Sequence, residues 1–240
     1  MFMKRLRPPL TDAGEKWIVM SIQKECADRL RETYRNLTGS KLKSGHAREL
    51  VAAYFGYGTA AALQAETEYP VEAIETAAIL IPDLALMDRR REELNQLPSD
   101  LQPVDNLARE ISAYLLDEGY FSGKVWYARD LSDEINSYVM EDPMLIEDAL
   151  SGEIASTNAF FDELYIDEVA VEVTDDAFVA TLTGSLNGDQ DQDRAFHGDK
   201  INFTSIMTMY RVAARNAYQK LDFETSGGVD DSMYFEDQPA

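Results

Sequence analysis

The chain has little of what covalent and metal chemistry needs. Its 240 residues include one cysteine, Cys26, and two histidines, His46 and His197. A single cysteine excludes an intrachain disulfide and suits a reducing compartment, so the cytoplasm is the expected location. Cys26 and His46 have no supporting Asn or Asp motif, and no G-x-S-x-G elbow, phosphate-cradling loop or H-E-x-x-H occurs. An enzyme is therefore not the first expectation. Apolar runs are also short, none approaching the roughly 18 residues that cross a bilayer. In the basic opening MFMKRLRPPL, Pro8-Pro9 and then Asp12 stand where a secretory signal would carry its apolar stretch.

Basic residues are the next scarcity. There are 22 Lys+Arg against 44 Asp+Glu, a net charge of −22. Residues 1–50 carry eleven basic and six acidic residues, whereas residues 51–240 carry eleven and thirty-eight. A body this acidic repels nucleic acid, so any DNA contact has to come from the N-terminal segment.

What is present is a helical pattern followed by a strand pattern. Residues 1–13 read as a basic arm. Apolar positions at helical spacing predict a helix over 15–36 stopped by Gly39, and one from a Ser44 cap to Gly56. Further helices are expected over 60–66 after a Thr59 cap, over 70–78, and from Asp83 to about Leu97. LPSDLQPVDN, with two prolines and two aspartates, reads as a linker at 98–106. Helices then follow over 107–118 with an Asp105 cap, over 131–141 with an Asp130 cap, and over 143–161. YIDEVAVEVTDDAFVATLTGSL alternates with period two around Thr174–Ala177 and predicts a hairpin. INFTSIMTMYRV is a third strand, with Phe203, Met207 and Met209 on one face, and 218–224 a fourth. The fold class is α+β, a helical N-terminal module (14–97) followed by an acidic helix-plus-antiparallel-sheet domain (107–226) and an acidic tail (227–240) in which Met233-Tyr234-Phe235 is a candidate edge strand.

The segment ELVAAYFGYGTAAALQA, Glu49 to Ala65, has the Ala52 and Gly56 spacing of a helix-turn-helix. Its second helix offers only Thr59 and Gln64 to base edges. Basic residues lie just upstream, so Lys41, Lys43, His46 and Arg48 are the candidate nucleic-acid contacts, to phosphates. Ser44, Ala47, Glu49-Leu50-Val51-Ala52, Gly56-Tyr57, Leu63 and Ala65 resemble a short helical segment of bacterial proteins in the glyoxalase superfamily. Similar segments occur in uncharacterised proteins of mobile elements. The resemblance covers about 22 residues and implies a compact module. It does not imply the glyoxalase activity, which needs His and Glu metal ligands on βαβββ units.

Two other groups are candidates. Asp189, Asp191 and Asp193 recur every second residue as in the first half of a calcium hand, with Asp199 further along the same loop, yet Arg194 and Lys200 stand where a calcium hand needs glycine and glutamate. No cofactor is expected, and a looser calcium or magnesium site at these aspartates is the alternative. Tyr54, Phe55 and Tyr57, with Trp126 and Tyr127 near Gly123, are candidate partner contacts, for which core packing competes. The leading expectation is a non-enzymatic interaction or accessory protein of a bacterial mobile element or phage-related system, its acidic domain engaging a basic partner or another copy of itself. A DNA-binding regulator using the N-terminal helices is the alternative, and a divalent-metal enzyme using the 189–199 loop the second.

Overall fold

The computed structural model describes residues 21–190, 193, 198–230 and 232. The basic arm and the Met233-Tyr234-Phe235 segment lie outside them. The N-terminal helices are α1 (Ile22–Thr38), α2 (Ser44–Tyr54), α3 (Ala60–Ala65), α4 (Leu84–Glu93) and α5 (Val104–Asp117). Gly39 ends α1 in the left-handed region, φ 73°, and its N–H closes on the Arg35 carbonyl. Thr59 and Asp83 cap α3 and α4 by accepting from the Ala62 and Leu86 amides at 3.1 and 2.8 Å.

Other expected boundaries shift. Lys43, not Ser44, takes the cap position of α2, and no side chain caps it. The 70–78 segment is a 3-10 turn over Val71–Thr76. α4 stops at Glu93 because Leu94 is extended and Gln96 has φ 63°, ahead of Pro98. α5 begins at Val104, directly after Pro103, so Asp105 sits in its first turn rather than at the cap. The linker stretch closes no domain: Leu101 and Val104 are buried in the helical core.

After β2 (Lys124–Val125) come α6 (Leu131–Glu141), capped by Asp130, and the short α7 (Met144–Glu147) and α8 (Ser151–Ser156). The single helix expected over 143–161 breaks at Asp148-Ala149-Leu150, between α7 and α8. Alternation from Ala159 onward then overrides helix formation. The long strands are β3 (Ala159–Val173), β4 (Ala177–Gln190) and β5 (Lys200–Ala213). β3 and β4 form the expected hairpin, in which the Thr174 hydroxyl accepts from the Ala177 amide at 3.0 Å. The fourth strand splits into β6 (Ala217–Tyr218) and β7 (Asp222–Val229), so residues 227–229 belong to the sheet and not to a tail. With β1 (Ile79–Leu80), the order is β2-β1-β6-β5-β4-β3, and β7 also pairs β5. All pairings are antiparallel except β1 with β2.

Phe178, Ala180, Leu182 and Leu186 of β4 register against Met209, Met207, Ser205 and Ile201 of β5 on one buried face. Ile135, Val139, Ile146 and Leu150 from the α6–α8 region complete that core. Gly184 lies opposite Phe203, whose ring occupies the space a side chain would need. Two cores therefore exist, and the short strands stand between them. By strand alternation Leu80 and Ala217 point into the helical core, while Ile79, Ile81 and Tyr218 point into the sheet core.

The turn between β5 and β6 locks the two together. Its Ala214 amide donates to Tyr69 O and its Arg215 amide to Phe55 O. The Asn216 side chain, 5% exposed, donates to the carbonyls of Tyr54 and Ile81 at 2.7 and 2.8 Å. Gly56, φ 84°, makes room for this turn, since a Cβ there would lie 2.8 Å from Arg215 Cβ.

Removing that amide should cost a large share of the stability. Asn216→Ala leaves the Ile81 carbonyl buried without its donor, a loss of about 1–3 kcal/mol. Asn216→Asp should be worse, because it turns a carboxylate on two carbonyl oxygens. Urea unfolding of the two variants should give this order. Cys26 is wholly buried in α1, and burial pushes its thiol up from the usual range. A thiol-alkylating reagent at mildly alkaline pH should leave it unmodified in the native chain and label it fully in urea.

Candidate functional site

Charge is what most distinguishes one part of this surface from another. Residues 130–190 contain sixteen Asp and Glu and no Lys or Arg. These residues build α6 to α8 and the β3–β4 hairpin. The ion pairs among the described residues use Asp28, Glu49, Asp88, Glu93, Asp105 and Glu110, all of them before this stretch. Arg129, at its border, faces back towards Asp88 and Asp105 at 2.7 and 2.9 Å and holds the Asp105 carboxyl below its usual range.

The acidic side chains are ordered by β3. Among the described residues this fifteen-residue strand pairs only with β4, which leaves its other edge open. Two bulges, at Phe161/Glu163 and Ile166/Glu168, insert Asp162 and Asp167. Glu163, Glu168 and Glu172 register against Asn187, Thr183 and Val179, on the sheet face away from the core. All five carboxylates are exposed. Such an edge resists pairing with a copy of itself, because like charges would meet along its length. The sequence reading found the acidity of the region but not this strand-edge arrangement, whose signal was the acids at 162–163, 167–168 and 172 set among β-branched and aromatic residues.

The basic candidates do not form one patch. Lys41 shares a shallow depression of about 670 Å³ with Arg31, Arg35, Asp28 and Glu32. Arg48 lines another, about 110 Å³, with Lys24 and Gln64. Lys43 Nζ donates to Gln96 Oε1. His46 is half-buried, with Nδ1 shielded from solvent, and so is poorly placed for a phosphate. α3 has six residues, buries Leu63, and presents Ala61, Ala62, Gln64 and Ala65 outward. Nothing in that set reads a base edge beyond Gln64.

Most aromatic candidates are corrected to core residues. Tyr54 and Phe55 are fully buried, Tyr57 is 2% exposed and Trp126 3%. The Tyr54 hydroxyl meets Ser112 Oγ at 2.6 Å, and Trp126 packs on Tyr138. Tyr57 donates to Glu66 at 2.7 Å; burial and that carboxylate push its phenol up. These rings fill the interior, so a partner cannot reach them in the folded chain. Tyr127 alone stays half-buried, with the Arg109 guanidinium 4.4 Å above its ring. Of the metal candidates, Asp191 lies outside the described residues. Asp189 is an exposed β4 residue, Asp193 an exposed turn residue and Asp199 half-buried before β5. Among the described residues no three His, Cys, Asp or Glu side chains converge as metal ligands would. No described helix is long and apolar enough to cross a membrane.

Set against protein-family models, curated proteins and solved structures, the chain finds no match.

Proposed function

We propose that the chain is a non-enzymatic interaction protein whose acidic helix-plus-sheet unit docks on a basic protein surface. The observation that carries this reading is the open edge of β3, where exposed carboxylates line a strand in a stretch that has no lysine or arginine. Fields of one sign steer and select partners of the other sign, and their reach falls with salt over a Debye length of about 10 Å at 0.1 M. The same charges disfavour self-pairing through β3 and repel nucleic acid, which leaves a basic protein as the favoured occupant.

Affinity capture on the full chain from its native host, with nuclease treatment, should recover a basic protein that is released by raised salt. The triple variant E163K/E168K/E172K should lose that protein while keeping its unfolding midpoint, since all three side chains face solvent. Undiminished capture by a folded triple variant would overturn the reading.

Lys41, Lys43 and Arg48 are exposed and have no carboxylate at ion-pair distance among the described residues, which is what favours a DNA contact as the second reading. Their separation into different depressions, and the total charge, set against it. The full chain should therefore retain no duplex at physiological salt in a mobility-shift assay. Retention that is lost on K41E/K43E/R48E would put the DNA reading first.

A further inference from the structure

We propose that the outer face of the sheet, between β3 and β7, seats an amphipathic helix of a partner protein, one with an apolar stripe flanked on both sides by lysine or arginine. The register defines this face. β5 pairs β4 on one side and, over Ile201–Thr208, β7 on the other, so four strands lie in the order β3-β4-β5-β7. Ile135 and Val139 of α6 and Ile146 of α7 pack on the opposite face, with Phe178, Leu182 and Met207. Residues paired across strands project to the same side. On the outer side Glu172, Val179, Thr208 and Asp222 form one row, and Ala170, Thr181, Ile206 and Glu224 the next.

These rows give the face a charge pattern and a width. Carboxylates stand at both rims, Glu168 and Glu172 on β3 and Asp222 and Glu224 on β7, all exposed and none at ion-pair distance from a cation among the described residues. Between them the outward residues of β4 and β5 are uncharged, apart from Lys200 at the far end of β5. The centre is also uncovered: Ile206 is 44% exposed and Tyr210 52%, although β5 is an interior strand. Three strand spacings put the two rims about 14 Å apart. A single extended strand is too narrow to meet both rims, whereas a helix about 10–12 Å across fills the space. Its apolar stripe would lie on Val179, Ile206 and the threonine methyls, and its lysine or arginine stems would run outward to the carboxylates on either side. From Val179 to Asn187 the face is about 27 Å long, the length of a helix of about eighteen residues. A second copy of the chain is disfavoured as occupant, because its acidic rims would meet these.

This proposal rests on the acidic-surface reading and gives the partner a shape. The probe is a synthetic peptide of about eighteen residues with leucine and alanine on one helical face and lysine on both flanks. Its control has the same composition shuffled so that no helical period remains. Titrated into the full chain by calorimetry at 0.1 M salt, the periodic peptide should bind about tenfold or more tightly than the control. Asp222→Lys with Glu224→Lys, and separately Ile206→Lys, should each weaken it by a similar factor while the unfolding midpoint holds. Ile206→Thr, which keeps the β-branched side chain of a strand, should weaken it less and guards against a folding defect in the lysine variant. Equal binding of the shuffled peptide overturns the helix. Loss with E163K/E168K/E172K but with neither the β7 pair nor Ile206→Lys overturns this face and leaves the acidic-surface reading standing. Indifference to all three overturns both. Sedimentation should show one chain per particle; a dimer dispersed by Ile206→Lys would make the occupant a second copy and overturn the partner.

Discussion

The structure depends on the buried amide of Asn216. It joins two carbonyls, Tyr54 O at the end of α2 and Ile81 O just after β1, to a turn more than 130 residues further along the chain. Both carbonyls are in the interior, where an unpaired C=O is expensive, so the amide satisfies two demands at once. Around it the Ala214 and Arg215 amides reach Tyr69 and Phe55, and Asn216 O accepts from the Ile81 amide at 2.9 Å. The C-terminal strands thereby become part of the N-terminal helical core, as the burial of Ala213, Ala214 and Ala217 within it records. A helical module and a sheet with an amide clamp of this kind between them should unfold as one cooperative unit.

With the cores joined in this way, the charge asymmetry acquires a geometry. The near-neutral N-terminal helices and the acidic hairpin are fixed relative to one another instead of tumbling on a tether. The carboxylates of 130–190 cannot fold back onto Lys41 or Arg48 to neutralise themselves. Arg129 draws Asp88 and Asp105 together at the border and leaves the acids beyond it exposed to solvent. A rigid unpaired field of this sort is costly through self-repulsion, and a partner of opposite sign offsets that cost when it binds. The bulges at Asp162 and Asp167 add a second safeguard, since they bend the strand at its free edge.

The α+β class, the β3–β4 hairpin, the inward face of Phe203, Met207 and Met209, and the Thr59 and Asp130 caps were legible because each rests on local chemistry. A period of two, or a side-chain oxygen two or three residues before an amide, is written in adjacent residues. β1, β2 and β6 were not legible: a two-residue strand has no period, and only its distant partner defines it. The division at 98–106 failed for a related reason. Two prolines mark a turn reliably, but nothing near them says that Leu101 and Val104 dock on the helices they follow. The aromatic candidates misled because a ring in a sequence looks the same whether it faces a partner or the core. Asn216 gave no signal at all, as an asparagine after Ala-Ala-Arg reads simply as a turn residue.

The helix-turn-helix spacing of Ala52 and Gly56 has its explanation in this same clamp. A recognition motif uses its glycine to set a second helix into a groove of DNA. Here the glycine admits Arg215, whose stem occupies the space outside the turn, while the two carbonyls just before it, of Tyr54 and Phe55, are consumed by the incoming strand turn. α3 is left as a short cap over Leu63 with small residues outward. The sequence Phe55-Gly56-Tyr57 is thus a socket for the rest of the chain. Tyr57 lines it beneath Arg215, Phe55 seals it from the helical side, and the left-handed glycine keeps it open. A residue with a side chain at position 56 would have to displace the turn that carries Asn216, so the conformational freedom of one glycine sustains the contact on which both cores rely.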